Sequence, residues 1–376
     1  MSKPVCVVVV GQTPPPVNGQ SLMIDSFLRG SYPGMRLVHV PMDFSRSTSE
    51  IGNFGLRKLW VLARVLLGIV SARFRTGATV LYYPPAGPQM VPFLRDVVLL
   101  VPTRLLFRRT AFHFHAAGLA EIYPRLPVPL RLLFWMAYRK PDLALFTTRA
   151  TSGEAEFLGA GRLAIAPCGI ADSASDPALL TSGPLASGAG AAARQRILFA
   201  GILCEGKGLM VLLEACARLL QSGADFDVEC MGAFESPEFR QAVEQRIEES
   251  GLGGRVAFPG VLGGREKAES FRRAAVFCFP SHYAAESFGV VLIEAMCFSL
   301  PIVATRWRGI PEVTGEDGGA LLVAPQDAGQ LAEALADVLA SPELRARMGA
   351  MNRQRYLDRF RVEQYRASIS EALMSL

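Results

Sequence analysis

Apolar and polar positions follow two rhythms along this chain. Short runs such as VCVVVV, LVHV, TVLYY, TAFHFH, LALFTT and LAIAP are dense in β-branched, aromatic and aliphatic residues, the pattern of strands buried on both faces. Between them, longer stretches place apolar residues three or four apart, from Ser21 onward and again over about 56–75, and these predict helices. The alternation pauses at DSASDPALLTSGPLASGAGAAARQ, Asp172 to Gln195, whose Ala, Ser, Gly and Pro content predicts a linker. It resumes with RILFAG, then a helix over 207–222, FDVECMG, a helix over 237–250, RVAFPG, a helix from Arg265, VFCFPS, a helix in ESFGVVLIEAM, PIVAT and ALLVAP. Such alternation predicts an α/β protein with parallel sheets covered by helices. The expected division is one domain over 1–172, a linker over 173–195, a second domain over 196–350 and a terminal helical segment over 351–376.

A length of 376 residues at 50% hydrophobic content is enough for two cores. The net charge of +5 is unevenly spread: residues 1–180 hold 19 Lys and Arg against 10 Asp and Glu, and the remainder holds 20 against 24. A basic first half implies an anionic partner for one domain only. The seven cysteines are scattered without a Cys-x-x-Cys pair, which predicts buried reduced thiols in a cytoplasmic protein, with neither disulfides nor a zinc site. PVCVVVVGQT is too short an apolar run for a secretion signal and reads as a first strand. Arg64, Arg95, Arg104 and Arg131 interrupt the most apolar stretches, so no membrane span is expected.

Open parallel sheets bind ligands where strands run into helices at their C-terminal ends. The loops at those positions are GQTPPPVNGQS with Gly19, HAAG with His115, GILCEGKG with Gly201 and Lys207, and SHYAAESFG. Gly19 serves equally as a plain turn residue, and His113 and His115, on one strand face, as hydrogen-bonded structural groups. Lys207 between glycines suits a phosphate, but Gly-x4-Gly-Lys-Ser/Thr is absent and Walker-type chemistry is unsupported. In ESFGVVLIE, eight helical steps bring Glu286 and Glu294 within roughly 80° of each other, and about 12 Å apart along the axis. Ser287, Phe288 and Gly289 then offer backbone amides to an anion at the helix start. The alternative is a capping acid followed by a core helix whose Glu294 pairs with an arginine. Asp225-Phe226-Asp227 spells a metal-binding D-x-D, but it stands at the start of a strand, opposite the binding edge, and reads as a solvated cap.

As an ordered set, PSHYAAESFGVVLIEAMCFSLPIVATRWRGIPEV resembles the donor-binding region of family 4 retaining glycosyltransferases of the GT-B type. Cys168-Gly169-Ile170-Ala171-Asp172 is similar to that family's Asn-Gly-Val-Asp element. The resemblance covers about 196–340 closely and the first domain loosely. It implies the GT-B fold, two Rossmann-like lobes with parallel sheets facing across a cleft, an acceptor-side first lobe, and a last helix crossing back to it. By the same resemblance Glu294 takes ribose hydroxyls and Glu286 hydroxyls of the transferred sugar. Lys207 with the amides around Ser287, Phe288 and Gly289 holds the diphosphate, His115 lies near the reaction centre, Gly19 and Gly201 border the donor, and Leu262 lies near the base. Ile202 departs from the family pattern, which has arginine there.

The implied activity is metal-independent transfer, with retention, from a UDP- or GDP-type sugar to a lipid-linked or saccharide acceptor in bacterial cell-surface polysaccharide synthesis, without cofactor or nucleic acid. A sugar-nucleotide epimerase of the same architecture and a degenerate partner of an active transferase are the alternatives. LRKLWVLARVLLGIVSARFR, Leu56 to Arg75, aligns Arg57, Arg64 and Arg75 within roughly 20° beside Trp60. That is the composition of a helix lying on an anionic bilayer, so a peripheral place on the inner face of the bacterial inner membrane is expected. The same residues also suit an ordinary covering helix with arginines at its solvent edge.

Overall fold

The computed structural model describes residues 4–44, 56–180 and 194–376. The strands are β1 Val5–Gly11, β2 Met35–Pro41, β3 Val80–Tyr83, β4 Arg109–Phe114, β5 Leu143–Phe146, β6 Leu163–Ile165, β7 Gln195–Ala200, β8 Phe226–Met231, β9 Val256–Gly260, β10 Val276–Phe279, β11 Ile302–Thr305 and β12 Ala320–Val323. The helices are α1 Gly19–Leu28, α2 Leu56–Thr76, α3 Met90–Thr103, α4 Leu119–Ile122, α5 Val128–Tyr138, α6 Glu154–Leu158, α7 Pro177–Leu180, α8 Leu209–Gln221, α9 Pro237–Glu249, α10 Gly264–Arg273, α11 Val290–Cys297, α12 Ile310–Thr314, α13 Ala328–Ala340, α14 Pro342–Arg359 and α15 Val362–Met374. They form two compact units. The first contains Met1–Gly169, Ala284–Phe288 and Val362–Leu376, and the second Ile170–Tyr283 and Gly289–Arg361.

In the first unit six parallel strands run in the order β2-β1-β3-β4-β5-β6. Every residue of β3 and β5 is buried, which explains their unbroken apolar sequence. Val61, Val65 and Ile69, four residues apart, turn one face of α2 onto the core with Val8, Val10, Phe93, Phe112 and Phe134. Helix α1 begins at Gly19, earlier than the expected Ser21, because Asn18 accepts from the Ser21 amide at 2.9 Å while the Ser21 hydroxyl accepts from the Asn18 amide. Helix α15 packs here as well: the Tyr365 hydroxyl donates to Met23 and the Arg366 Nε to Ser26.

The second unit orders its parallel strands β12-β11-β10-β7-β8-β9. Chain direction across this sheet reverses between β7 and β10, so the loops after those two strands flank the opening where such sheets take ligands. Its core joins Ile197 and Phe199 to Leu212, Cys216, Val228, Cys230, Cys278 and Leu335. Six of the seven cysteines are buried and all are unpaired. Burial pushes the thiols of Cys168, Cys216, Cys230 and Cys278 well above their usual range.

A buried carboxyl organises the open end of the first sheet. Asp96 on α3 accepts from the Tyr83 hydroxyl at 2.6 Å, the Ala86 amide at 2.7 Å, the Tyr138 hydroxyl at 2.9 Å and the Arg95 guanidinium at 2.7 Å. These contacts tie β3, the loop after it and α5 to one point. Asp96→Ala strands three donors and an arginine, and is expected to lower unfolding free energy by about 3–5 kcal/mol, measured by urea denaturation.

Candidate functional site

In the second unit the loop after β7 makes a single 3-10 turn, Glu205–Lys207, before α8. Gly208 closes that turn at φ +80°, and a Cβ there would stand 2.1 Å from the Pro280 carbonyl oxygen in the loop after β10. A side chain at Gly206 would press on the Tyr283 ring at 3.0 Å. The two loops therefore meet through backbone, joined by the His282 amide donating to Gly206 at 2.8 Å. Lys207 Nζ consequently lies 5.3 Å over the Phe279 ring and 5.1 Å over the Tyr283 ring, held by cation–π attraction. Thr305, the last residue of β11, and Trp307 just after it donate to the carbonyls of Ser281 and Tyr283 and fix that loop from its other side. Gly201 follows β7 with its amide donating to the Met231 carbonyl, and Ile202 beside it is exposed.

Helix α11 starts at Val290, later than the sequence suggested, because Gly289 takes the left-handed conformation at φ +79° and breaks the run from Ser287. A Cβ at Gly289 would meet Leu292 at 3.0 Å and Phe279 at 3.1 Å. Glu294 is the fifth residue of α11, little more than one turn inside it, so the wheel argument linking it to Glu286 does not apply. One oxygen of Glu294 accepts from Lys267 Nζ at 2.6 Å, whereas Oε2 is buried without a hydrogen-bond partner. Lys267 and Glu294 share the wall of a 160 Å³ cavity with Gly264, Phe271, Cys297 and Phe298. Lys267 escaped the sequence reading: its partner lies 27 residues away and only the turn at half-buried Leu262, which aims α10, brings them together.

Residues Ala284–Phe288 group with the first unit, so Glu286, Ser287 and Phe288, all buried, belong there by their contacts. Ser287 Oγ donates to the His115 carbonyl at 2.7 Å, Thr148 Oγ1 donates to the Ser287 carbonyl at 3.1 Å, and the Ala117 amide donates to Ala285. His115 thus meets the ESFG segment at the end of β4. Its ring lies 4.0 Å from that of His113 and is tilted 37° to it, and His113 shares a 2.5 Å hydrogen bond with the Tyr82 hydroxyl. Burial pushes His115 down to about 3 and, with His115 beside it, holds His113 well below the usual imidazole range. Both rings are neutral at physiological pH, so His115 offers a hydrogen bond and no positive charge. Gly19 forms the first turn of α1, next to the loop after β1.

The D-x-D segment resolves as a strand cap. Asp225 pairs with Arg255 and Arg194, each at 2.8 Å, and Asp227 with Arg194 at 3.5 Å. Among the described residues no group of three or more His, Cys, Asp or Glu has the geometry to hold a metal ion.

Glu154 of α6 accepts from the Gly118 amide at 2.6 Å, next to the loop that carries His115, while its Oε2 is buried without a partner. Burial raises its carboxyl to about 7, against the lowering effect of the Gly118, Ala120 and Leu119 amides. A raised acid keeps its proton in the folded chain while the unfolded chain loses it, so this group destabilises the fold as pH climbs from about 4.5 to 7. Glu154→Gln is expected to gain stability over the parent across that interval, reaching about 3 kcal/mol by pH 8 and nothing at pH 4, in urea titrations at each pH.

Residues 191–355 match the family model described as glycosyl transferases group 1. The phosphatidyl-myo-inositol mannosyltransferase of Mycolicibacterium smegmatis is 33% identical over 151 residues, 40% of this chain and 37% of that protein. The match therefore spans little more than a third of that relative. A putative colanic acid biosynthesis glycosyltransferase of Escherichia coli K12, WcaL, is 27% identical over 295 residues, covering 76% of this chain and 67% of that one. HepE of Anabaena, solved in complex with UDP, superposes with a TM-score of 0.73 at 17% identity, over 98% of this chain and 100% of HepE. Residues 191–355 of this chain are thus similar to the glycosyl transferases of group 1, and the chain as a whole has the GT-B fold.

Proposed function

We propose that this chain transfers a glycosyl group from a nucleoside diphosphate sugar to a hydroxyl of a saccharide or lipid-linked acceptor, with retention and without a metal, in cell-surface polysaccharide or glycolipid synthesis. The observation that carries the reading is Glu294: one oxygen is held by Lys267 and the other is buried and unsatisfied on a cavity wall, within a group 1 glycosyl transferase domain. An unsatisfied buried acceptor gains from a hydroxyl donor, and a ribose diol supplies one. Lys207 and the amides opening α11 from Gly289 balance the charge of the departing diphosphate, a contribution of about 3–4 kcal/mol per well-placed donor. Glu286, with Ser287 and Phe288 beside it, orients sugar hydroxyls, neutral His115 hydrogen-bonds near the anomeric carbon, and Gly19, Gly201 and Leu262 border the donor. In the reaction the bond from anomeric carbon to diphosphate oxygen breaks with its electron pair leaving on the diphosphate. The acceptor oxygen bonds to the same face, and its proton passes to the leaving phosphate oxygen.

The acceptor reading rests on the first unit. Trp60, Leu67 and Phe74 on α2 are 64%, 67% and 70% exposed, Leu105 is 90% exposed, and Val128 and Leu132 on α5 are exposed too. A single such residue is ordinary, whereas a set of them amid arginines suits a protein resting on an anionic bilayer, here the inner face of a bacterial inner membrane. No helix among the described residues is long and apolar enough to cross a membrane.

A thermal-shift panel with UDP, GDP, ADP and CMP tests the donor. One nucleoside diphosphate at ~100 times its dissociation constant is expected to add about 2.7 kcal/mol of stability, and Glu294→Ala to lose most of it. Lys267→Met, which leaves both glutamates in place, is expected to weaken the same ligand about five- to tenfold. Absence of stabilisation by any of the four would refute the reading.

A further inference from the structure

We infer that the groove between β2 and α2 is a binding site for the phosphate of an anionic membrane lipid. The inference rests on the membrane part of the reading above and names the chemistry of that contact. The groove encloses 590 Å³, with Val38, Val40, Gly68 and Ala72 as its apolar floor and Arg36, Arg64 and Arg75 at its rim. Among the described residues no acidic side chain lines it.

The arginines have donors to give. Arg64 reaches Asp43 at 3.2 Å, but both side chains are nearly half exposed, and such a pair contributes little and is readily exchanged. Guanidinium groups present several N–H donors in a plane and match phosphate oxygens two at a time. Two other polar lining groups are engaged within the protein, His39 Nε2 with the Gly11 carbonyl at 3.0 Å and the Thr76 hydroxyl with Ala72 at 2.6 Å. Three guanidinium groups offset by one nearby carboxylate leave the excess positive charge that a phosphate ester balances. The floor depends on the missing side chain at position 68, since a Cβ there would press on Val40 at 3.0 Å.

Helical geometry selects a lipid over a free anion. Arg64, Gly68, Ser71 and Arg75 recur at three- and four-residue steps and share one stripe of α2. The exposed Trp60, Leu67 and Phe74 recur every seven residues on a stripe roughly 70° away. A charged groove beside an apolar ridge on one helix matches a molecule with an anionic head and an apolar tail, whereas inorganic phosphate has no use for the ridge. Among the described residues strand β2 is the edge of its sheet, so no further described strand of that sheet covers the groove.

The test is co-sedimentation of the full chain with phosphatidylcholine vesicles containing about one-third phosphatidylglycerol at low salt. The triple variant Arg36→Gln, Arg64→Gln, Arg75→Gln is expected to bind at least ~10-fold more weakly than the parent. A control, Arg272→Gln, Arg347→Gln, Arg359→Gln, removes equal charge from exposed sites in the second unit and should stay within about twofold. Gly68→Leu, which fills the groove and keeps every charge, should lose about fivefold or more. Equal losses in both triple variants would assign the binding to general surface charge and overturn the site. Calorimetric binding of inorganic phosphate that the groove triple abolishes, with vesicle binding unchanged, would make a free anion the ligand and overturn the lipid assignment. Nucleotide stabilisation measured on the same samples separates the readings: its failure counts against the transferase, a parent chain that ignores the vesicles counts against the membrane contact, and a groove triple that binds them like the parent counts against the groove.

Discussion

The carbonyl of Pro280 lies where a side chain on Gly208 would have to go, and the chemistry of the second unit is arranged around that approach. Because the two loops touch backbone to backbone, Gly206 can accept from His282, and Tyr283 is brought beneath Lys207. Lys207 stands at the point where the sheet order reverses, the place where neighbouring strand-end loops part and leave room for a ligand. Its ammonium lies over the rings of Phe279 and Tyr283, whose faces attract it.

The first unit solves a different problem, that of keeping polar groups in a dry interior at the end of its sheet. Asp96 does so by complete satisfaction, with Tyr83, Ala86, Arg95 and Tyr138 around one carboxyl. His113 and His115 do so by neutrality, their rings tilted against each other and linked to Tyr82. Glu154 is only half accommodated, with one oxygen on a helix amide and the other unsatisfied, and it retains its proton toward neutral pH. These arrangements converge on the loops after β3 and β4, where the His115 carbonyl receives Ser287.

Most of the fold could be read from the chain because parallel strands buried on both faces leave unbroken apolar runs and their helices do not. The loops at strand ends were legible for the same reason, whereas residues 181–193 of the expected linker lie outside the described residues. What escaped depended on single residues acting at a distance. Gly289 delays α11 by adopting a backbone conformation that the apolar VVLIE run does not announce, and Asn18 with Ser21 advances α1. Glu294 was visible as an acid in an apolar helix, and even its pairing with a cation was among the readings, but the cation is Lys267 and not an arginine. Nothing in the periodicity of α10 distinguishes Lys267 from Arg265, Arg272 or Arg273, since its role is created by the tertiary placement of that helix against α11.

The cysteines carry a consequence of their own. Cys216, Cys230 and Cys278 form part of the second unit's core, Cys168 is buried in the chain preceding that unit, and burial disfavours the thiolate in all four. Cys6 alone is partly reachable. A thiol reagent therefore meets a natural clock: one sulfur reacts from the folded state, and the core sulfurs react only as fast as the surrounding structure opens. The chain carries its own probes of local opening, already placed against β7, β8 and β10, and needs no engineered label to report when a ligand quiets that motion.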